Sequence, residues 1–70
     1  MTAGRSMPSY VVVENSGMTG ECDVGRFGTH GAALGWIERT YTAAERDPTS
    51  DRCLYPDVCV EVDGSRSYEL

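Results

Sequence analysis

Apolar and polar positions alternate most regularly late in the chain, where Val58, Val60 and Val62 fall on one side of an extended strand and Cys59, Glu61 and Asp63 on the other. Asp63-Gly64 supplies a turn and residues 65–70 run back, so the stretch reads as a β-hairpin with one apolar and one acidic face. Parity governs how its strands align. A two-residue turn sets Val60 opposite Ser67 and sends Tyr68 away from the valines. A three-residue loop over residues 63–65 instead places Tyr68 beside Val60 and Leu70 beside Val58. Because a shift of one residue moves every side chain to the other face, burial of Tyr68 and Leu70 favours the second register. It predicts an outer face of Cys59, Glu61, Ser67 and Glu69.

Upstream, residues 10–14 (Tyr-Val-Val-Val-Glu) are β-branched and aromatic, the pattern of a strand buried at least partly on both faces. A turn-rich stretch follows at residues 15–20. Without a further strand, about fifteen structureless residues would precede the helix, too many for so small a domain. Residues 22–27 are therefore expected to pair back, with Gly25 marking a bulge. The helix is predicted to start after Thr29, whose hydroxyl can cap the first turn, and to end at Asp47-Pro48. At 100° per residue, Trp36, Thr40, Ala33, Ala44, Ile37, Tyr41 and Leu34 share one side, opposite Gly35, Glu38, Arg39, Thr42, Glu45 and Arg46. Gly31 and Gly35 each cost up to about 1 kcal/mol relative to alanine, so this helix depends on tertiary contact. The order is ββαββ: an α+β fold with a four-stranded, mainly antiparallel sheet, one helix packed on one face and the other face open. Residues 1–8 lack periodicity and are expected to form a flexible tail before a single domain over residues 9–70.

Seventy residues support one domain, whose core supplies only about 3–5 kcal/mol of net stability. The formal charge of −5, from eleven carboxylates against six arginines, disfavours direct contact with nucleic acid or anionic lipid and favours a basic protein surface. Much of that charge is local: from Asp57 onward four acids face one cation, Arg66. The longest aliphatic run near the start, residues 11–13, is far short of a signal-peptide core or a membrane span, so a soluble, cytoplasmic protein is expected. Three cysteines suit a reducing compartment with free thiols; a Cys53–Cys59 bridge is open on spacing but disfavoured there.

Candidate chemistry is sparse. Cys22, His30, Cys53 and Cys59 offer a Cys₃His set for zinc, yet their spacings contain no Cys-x-x-Cys knuckle, and separate half-buried thiols are the plainer reading. Cys22 lies between Glu21 and Asp23, whereas reactive cysteines sit in electropositive surroundings, and His30 has no evident partner as a base. Gly25, Gly28 and Gly31 match neither a dinucleotide fingerprint nor a P-loop, and a tight strand-to-helix turn accounts for them. No carboxylate sits in an apolar setting suited to acid or base work. The tyrosines and Trp36 lack the basic stripe that a nucleic-acid platform needs. No catalytic residue, metal site or cofactor is therefore assigned.

The stretch Gly25-Arg-Phe-Gly-Thr-His-Gly-Ala-Ala-Leu-Gly-Trp-Ile, followed by a hairpin with Asp-Gly at its tip, resembles small one-helix ββαββ domains of bacterial and phage proteins, including some anti-CRISPR inhibitors. The likeness is one of layout over residues 10–70, and it departs from the common pattern at Gly31 and Gly35. It implies a phage-type inhibitor of a nucleic-acid-handling complex. The residues themselves point to a non-enzymatic protein whose acidic hairpin docks on a basic surface through Glu61, Asp63 and Glu69, supported by Asp57 and Asp23. The alternatives are a self-associating homodimer, joined through the open face or a sheet edge, and a small Cys/His zinc protein.

Overall fold

The computed structural model describes residues 7–69. Its elements are β1 (Ser9–Glu14), β2 (Cys22–Phe27), α1 (His30–Thr40), α2 (Ala43–Arg46), β3 (Asp57–Val62) and β4 (Ser65–Ser67). The strands form one sheet in the order β2-β1-β3-β4, each pair antiparallel, which is the expected ββαββ layout with α1 on one face. β1, the most aliphatic strand, takes a central place, where Val11, Val12 and Val13 are all buried. Of the expected tail, residues 1–6 lie outside the described residues; Met7 and Pro8 are exposed and precede β1.

Gly25 sits at the expected bulge. Val12 pairs with Gly25 and Val13 with Asp23, leaving Val24 as the extra residue. A Cβ on Gly25 would lie 2.9 Å from the Phe27 ring, so the absence of a side chain lets that ring fold over the strand. The bulge keeps both flanking side chains useful. Val24 packs toward the helix, while Asp23 reaches the opposite face.

Thr29 caps α1 as expected, its Oγ1 accepting the Ala32 N–H at 3.1 Å. The helix then stops seven residues earlier than the periodicity suggests. Tyr41 turns to an extended conformation, and Thr42 starts α2 with a capping box in which its hydroxyl accepts the Glu45 N–H and the Glu45 carboxylate accepts the Thr42 N–H. The break directs Tyr41 into the core. Its ring meets Trp36 edge-on at 5.8 Å, and its hydroxyl donates to Glu14 Oε2 at 2.7 Å. Burial, reinforced by Glu14, pushes the Tyr41 hydroxyl well above the usual tyrosine range. Of the predicted apolar side, Ala33, Ile37 and Tyr41 are buried, Trp36 and Ala44 half-buried, and Leu34 and Thr40 exposed. The core on this face joins Val12, Val58, Ala33, Ile37 and Tyr41.

The hairpin takes the two-residue register. Val62 pairs with Ser65, Glu61 with Arg66 and Val60 with Ser67, so the three-residue loop and the placement of Tyr68 beside Val60 are both overturned. Asp63 and Gly64 have φ of 53° and 82°, the left-handed pair that a type I′ turn requires and that Asp-Gly adopts at little cost. The valines do alternate with Cys59 and Glu61 as expected. Their opposite face, however, carries Arg66 and Tyr68, and Ser67 goes to the helix side with Val60. The predicted place of Leu70 beside Val58 lies outside the described residues.

Candidate functional site

The face away from the helix is not open. Val11, Val13 and Cys59 are 1%, 0% and 0% exposed on it, although the described residues place no second layer of secondary structure there. Their cover is polar. Arg66, projecting from β4, donates two hydrogen bonds to the Asp23 carboxylate on β2 at 2.6 and 2.8 Å and one to Glu61 at 3.0 Å. Arg26 adds a longer contact to Glu61 at 3.4 Å. Just beyond β4, the Tyr68 hydroxyl donates to Glu21 Oε2. In a flat sheet β2 and β4 would stand about 14 Å apart, three steps of strand spacing. The long Arg66 side chain spans that gap, tying the β4 edge to the β2 edge across the face of β1 and β3.

Electrostatics follow from these contacts. Hydrogen bonds from Arg66 hold the Asp23 carboxyl below the usual carboxylate range, and Arg66 followed by Arg26 does the same to Glu61. The Tyr68 hydroxyl and then the Gly17 N–H lower Glu21. Arg66 is raised in turn, first by Asp23 and then by Glu61. Burial pushes the Cys59 thiol up despite the nearby guanidinium, and its S–H points at the Val11 carbonyl, 3.7 Å away.

The five residues assigned from sequence do not form one patch. Glu61 and Asp23 come together, but around Arg66, which neutralises them from within the chain. Asp63 lies in the turn just past one end of β3 and Asp57 begins the other end, about 20 Å away along the strand. Glu69 follows the arm, its N–H toward Ser67 Oγ. Cys22, His30, Cys53 and Cys59 are likewise apart. Cys22 is exposed at the start of β2, His30 stacks on Tyr10 at 5.7 Å, Cys53 accepts the Tyr55 N–H in the loop, and Cys59 is buried on the far face. All three thiols are free, and no group of three or more His, Cys, Asp or Glu among the described residues is placed to hold a metal.

A different acidic site emerges at the end of the sheet where β1 finishes and β3 begins. Ser16 and Gly17 from the turn after β1, Glu21 before β2, Asp57 of β3 and Tyr68 line a concavity of about 250 Å³. Asp57 accepts from the Ser16 hydroxyl at 3.2 Å and from the Val58 N–H at 2.8 Å, and Glu21 from Tyr68 and the Gly17 N–H. These bonds orient both carboxylates without supplying a cation, since neither forms a salt bridge among the described residues. The loop that completes this end is fixed by backbone bonds from Asn15 to Leu54 and from Ser16 to Tyr55. A larger groove of about 430 Å³ continues past Asp57 and Tyr68 along His30, Leu34 and Ile37 of α1, and Arg46 lines it too, without a salt bridge to Asp57.

In the sequence Asp57 stands out only as a supporting acid and Glu21 only as a neighbour of Cys22. The count of four acids against Arg66 from Asp57 onward does not reveal which of them stay without an ion pair, because the closest Arg66 partner, Asp23, comes from 43 residues upstream. Among the described residues, no helix is long and apolar enough to cross a membrane. No protein-family model, curated protein or solved structure matches this chain.

Proposed function

We propose that this protein is a non-enzymatic binding module that docks the acidic end of its sheet on a cationic surface of a protein partner. The observation that carries the reading is the notch that Glu21, Asp57 and Tyr68 line together, neither carboxylate salt-bridged to a cation among the described residues. An arginine side chain entering there gains charge-assisted hydrogen bonds to two carboxylates and the face of an aromatic ring. Such complementarity gives fast, salt-sensitive association. The chain's net charge of −5 extends the attraction beyond the notch. The thiols and the one histidine stand apart from one another, which favours binding over nucleophilic chemistry.

The resemblance in layout to ββαββ domains that include anti-CRISPR inhibitors adds the identity class of the partner: a nucleic-acid-handling complex whose phosphate-holding arginines and lysines are occupied by these carboxylates. Glu21→Gln/Asp57→Asn removes both charges yet keeps acceptors for Tyr68, Gly17, Ser16 and Val58. Wild-type and variant baits are compared for recovery from host lysate, and the recovered protein is then purified and its affinity measured over a salt series. Loss of affinity by about tenfold or more in the double variant, with Glu38→Gln unchanged, is expected. Equal affinity of all three proteins refutes the assignment.

A further inference from the structure

The segment that covers Val11, Val13 and Cys59 has little apolar anchorage of its own. β4 has three residues, none of them buried, and Tyr68 beyond it is 43% exposed. What holds it down is side-chain chemistry directed at the opposite edge of the sheet. Arg66 reaches Asp23 and Glu61, and Tyr68 reaches Glu21, while the backbone ladder to β3 covers only residues 60–62. The guanidinium and both carboxylates keep part of their surface in water, at 26%, 47% and 22% for Arg66, Asp23 and Glu61. Ion pairs that wet are individually weak, and elements held by few buried contacts open at a fraction of the global unfolding free energy.

The layer beneath is different. Val11, Val13 and Cys59 belong to the two central strands, and β1 is paired along both edges. A weakly held cover over a firmly held apolar stripe can move without dissolving the fold. The segment joins β3 only through the two-residue Asp63-Gly64 turn, so its motion need not displace the central strands.

We infer that the chain from Asp63 through Tyr68 is a strap that opens and closes over the sheet independently of global unfolding, gating access to the Cys59 thiol and carrying one wall of the acidic notch. Opening breaks the Arg66 bridges, the Tyr68–Glu21 bond and the short ladder to β3 together, because Arg66 and Tyr68 project from the same face of one segment. Since Tyr68 lines the notch, the notch is complete only while the strap is closed. A cation held there favours closure, by the reciprocity that links any ligand to the conformation that binds it. This last link rests on the docking function proposed above; the strap itself does not.

The test uses Cys22→Ser/Cys53→Ser, in which Cys59 is the sole thiol, and an aromatic disulfide reagent. The Cys59 thiolate attacks the reagent's S–S bond, forms a mixed disulfide and releases a coloured thiolate. With a gating strap, the labelling rate is independent of urea below the unfolding transition, and Arg66→Met raises it by about tenfold, the scale of losing a partly exposed three-way charge network. The folding equilibrium falls by no more than the same tenfold, because closure of the strap is one part of it. Labelling that follows urea with the full dependence of global unfolding, or that is unchanged by Arg66→Met, overturns the proposal. Native-state amide exchange of the unsubstituted protein decides the matter should the cysteine variant not fold. Amides of β4 exchanging at least about a hundredfold faster than those of β1 support the strap, and equal protection refutes it. Argininamide then separates the two ideas. Slower Cys59 labelling in its presence supports the link to the notch, whereas unchanged labelling with the strap behaviour intact removes the docking link and leaves the strap standing.

Discussion

Val11 and Val12 offer a comparison in which side chain, strand and burial are matched and only the covering layer differs. Val12, fully buried, packs among Ala33, Ile37, Tyr41 and Val58, while Val11, 1% exposed, meets Val13 and Cys59 beneath the Arg66 strap. Truncation to alanine removes two carbons, about 1.6 kcal/mol of transfer free energy at roughly 0.8 per carbon. At Val12 the helix and sheet hold their spacing, and a cavity term brings the loss to about 2–3 kcal/mol. At Val11 the strap can settle inward or admit water, so the loss stays near the transfer value, about 1–1.6 kcal/mol. A domain of this size has only about 3–5 kcal/mol to lose, so Val12→Ala should be close to unfolding at room temperature. The difference of about 1 kcal/mol corresponds to about 4–8 °C in Tm. Urea unfolding followed by fluorescence of Trp36, the single tryptophan, measures both losses, with a constant m-value as the check on two-state behaviour. A loss at Val11→Ala equal to or larger than that at Val12→Ala would show that the far face is packed as firmly as the core and would refute the reasoning.

Other outcomes follow from single contacts. Glu21, Asp23 and Glu61 have folded-state values below their ordinary 4.5, 3.8 and 4.5, so their contribution is complete above those values and is lost as pH falls through the lowered ones. The Arg66 Nε–H resonance should therefore hold steady between about pH 7 and 5 and shift only below about 4.5; a step between 5 and 7 contradicts the pairing. Tyr41→Phe deletes the donor to Glu14 and should cost about 1–2 kcal/mol by urea unfolding, with an unchanged midpoint counting against that bond. Gly64→Ala forces a side chain into φ of 82° and should cost about 1 kcal/mol, whereas a neutral result would mean the hairpin can adopt another turn.

Strand identities, the bulge at Gly25, the Thr29 cap and the alternation along β3 were legible because each depends on a few neighbouring residues. The break at Tyr41 was equally local, written as Thr42-Ala-Ala-Glu45, but the apolar period carried through Ala44 and masked it. The hairpin register was misread for an energetic reason. Burial of Tyr68 was weighed against turn geometry, and the left-handed preference of Asp-Gly prevailed, joined by a charge network that only the folded sheet assembles. Arg66 lies 43 positions from Asp23, and nothing in either neighbourhood announces the pair. For the same reason the acidic site moved. Counting charges located the acids, but which of them keep a cation of their own depends on Arg66 reaching from β4 across to β2. Glu61 and Asp23 are answered within the chain, while Glu21 and Asp57 converge without an ion-pair partner among the described residues.

Under the proposed docking function, cations are recognised at this end of the sheet rather than along the hairpin. The most direct measurement of this is an amide NMR titration of the isotope-labelled protein with argininamide at low salt, repeated at about 0.5 M salt, where exposed charges are screened. Shift changes should concentrate at Ser16, Gly17, Glu21, Asp57 and Tyr68, saturate, and vanish with screening or in Glu21→Gln/Asp57→Asn. Changes centred instead on residues 61–66, or a uniform drift that never saturates, would rule out a cation site at this end of the sheet.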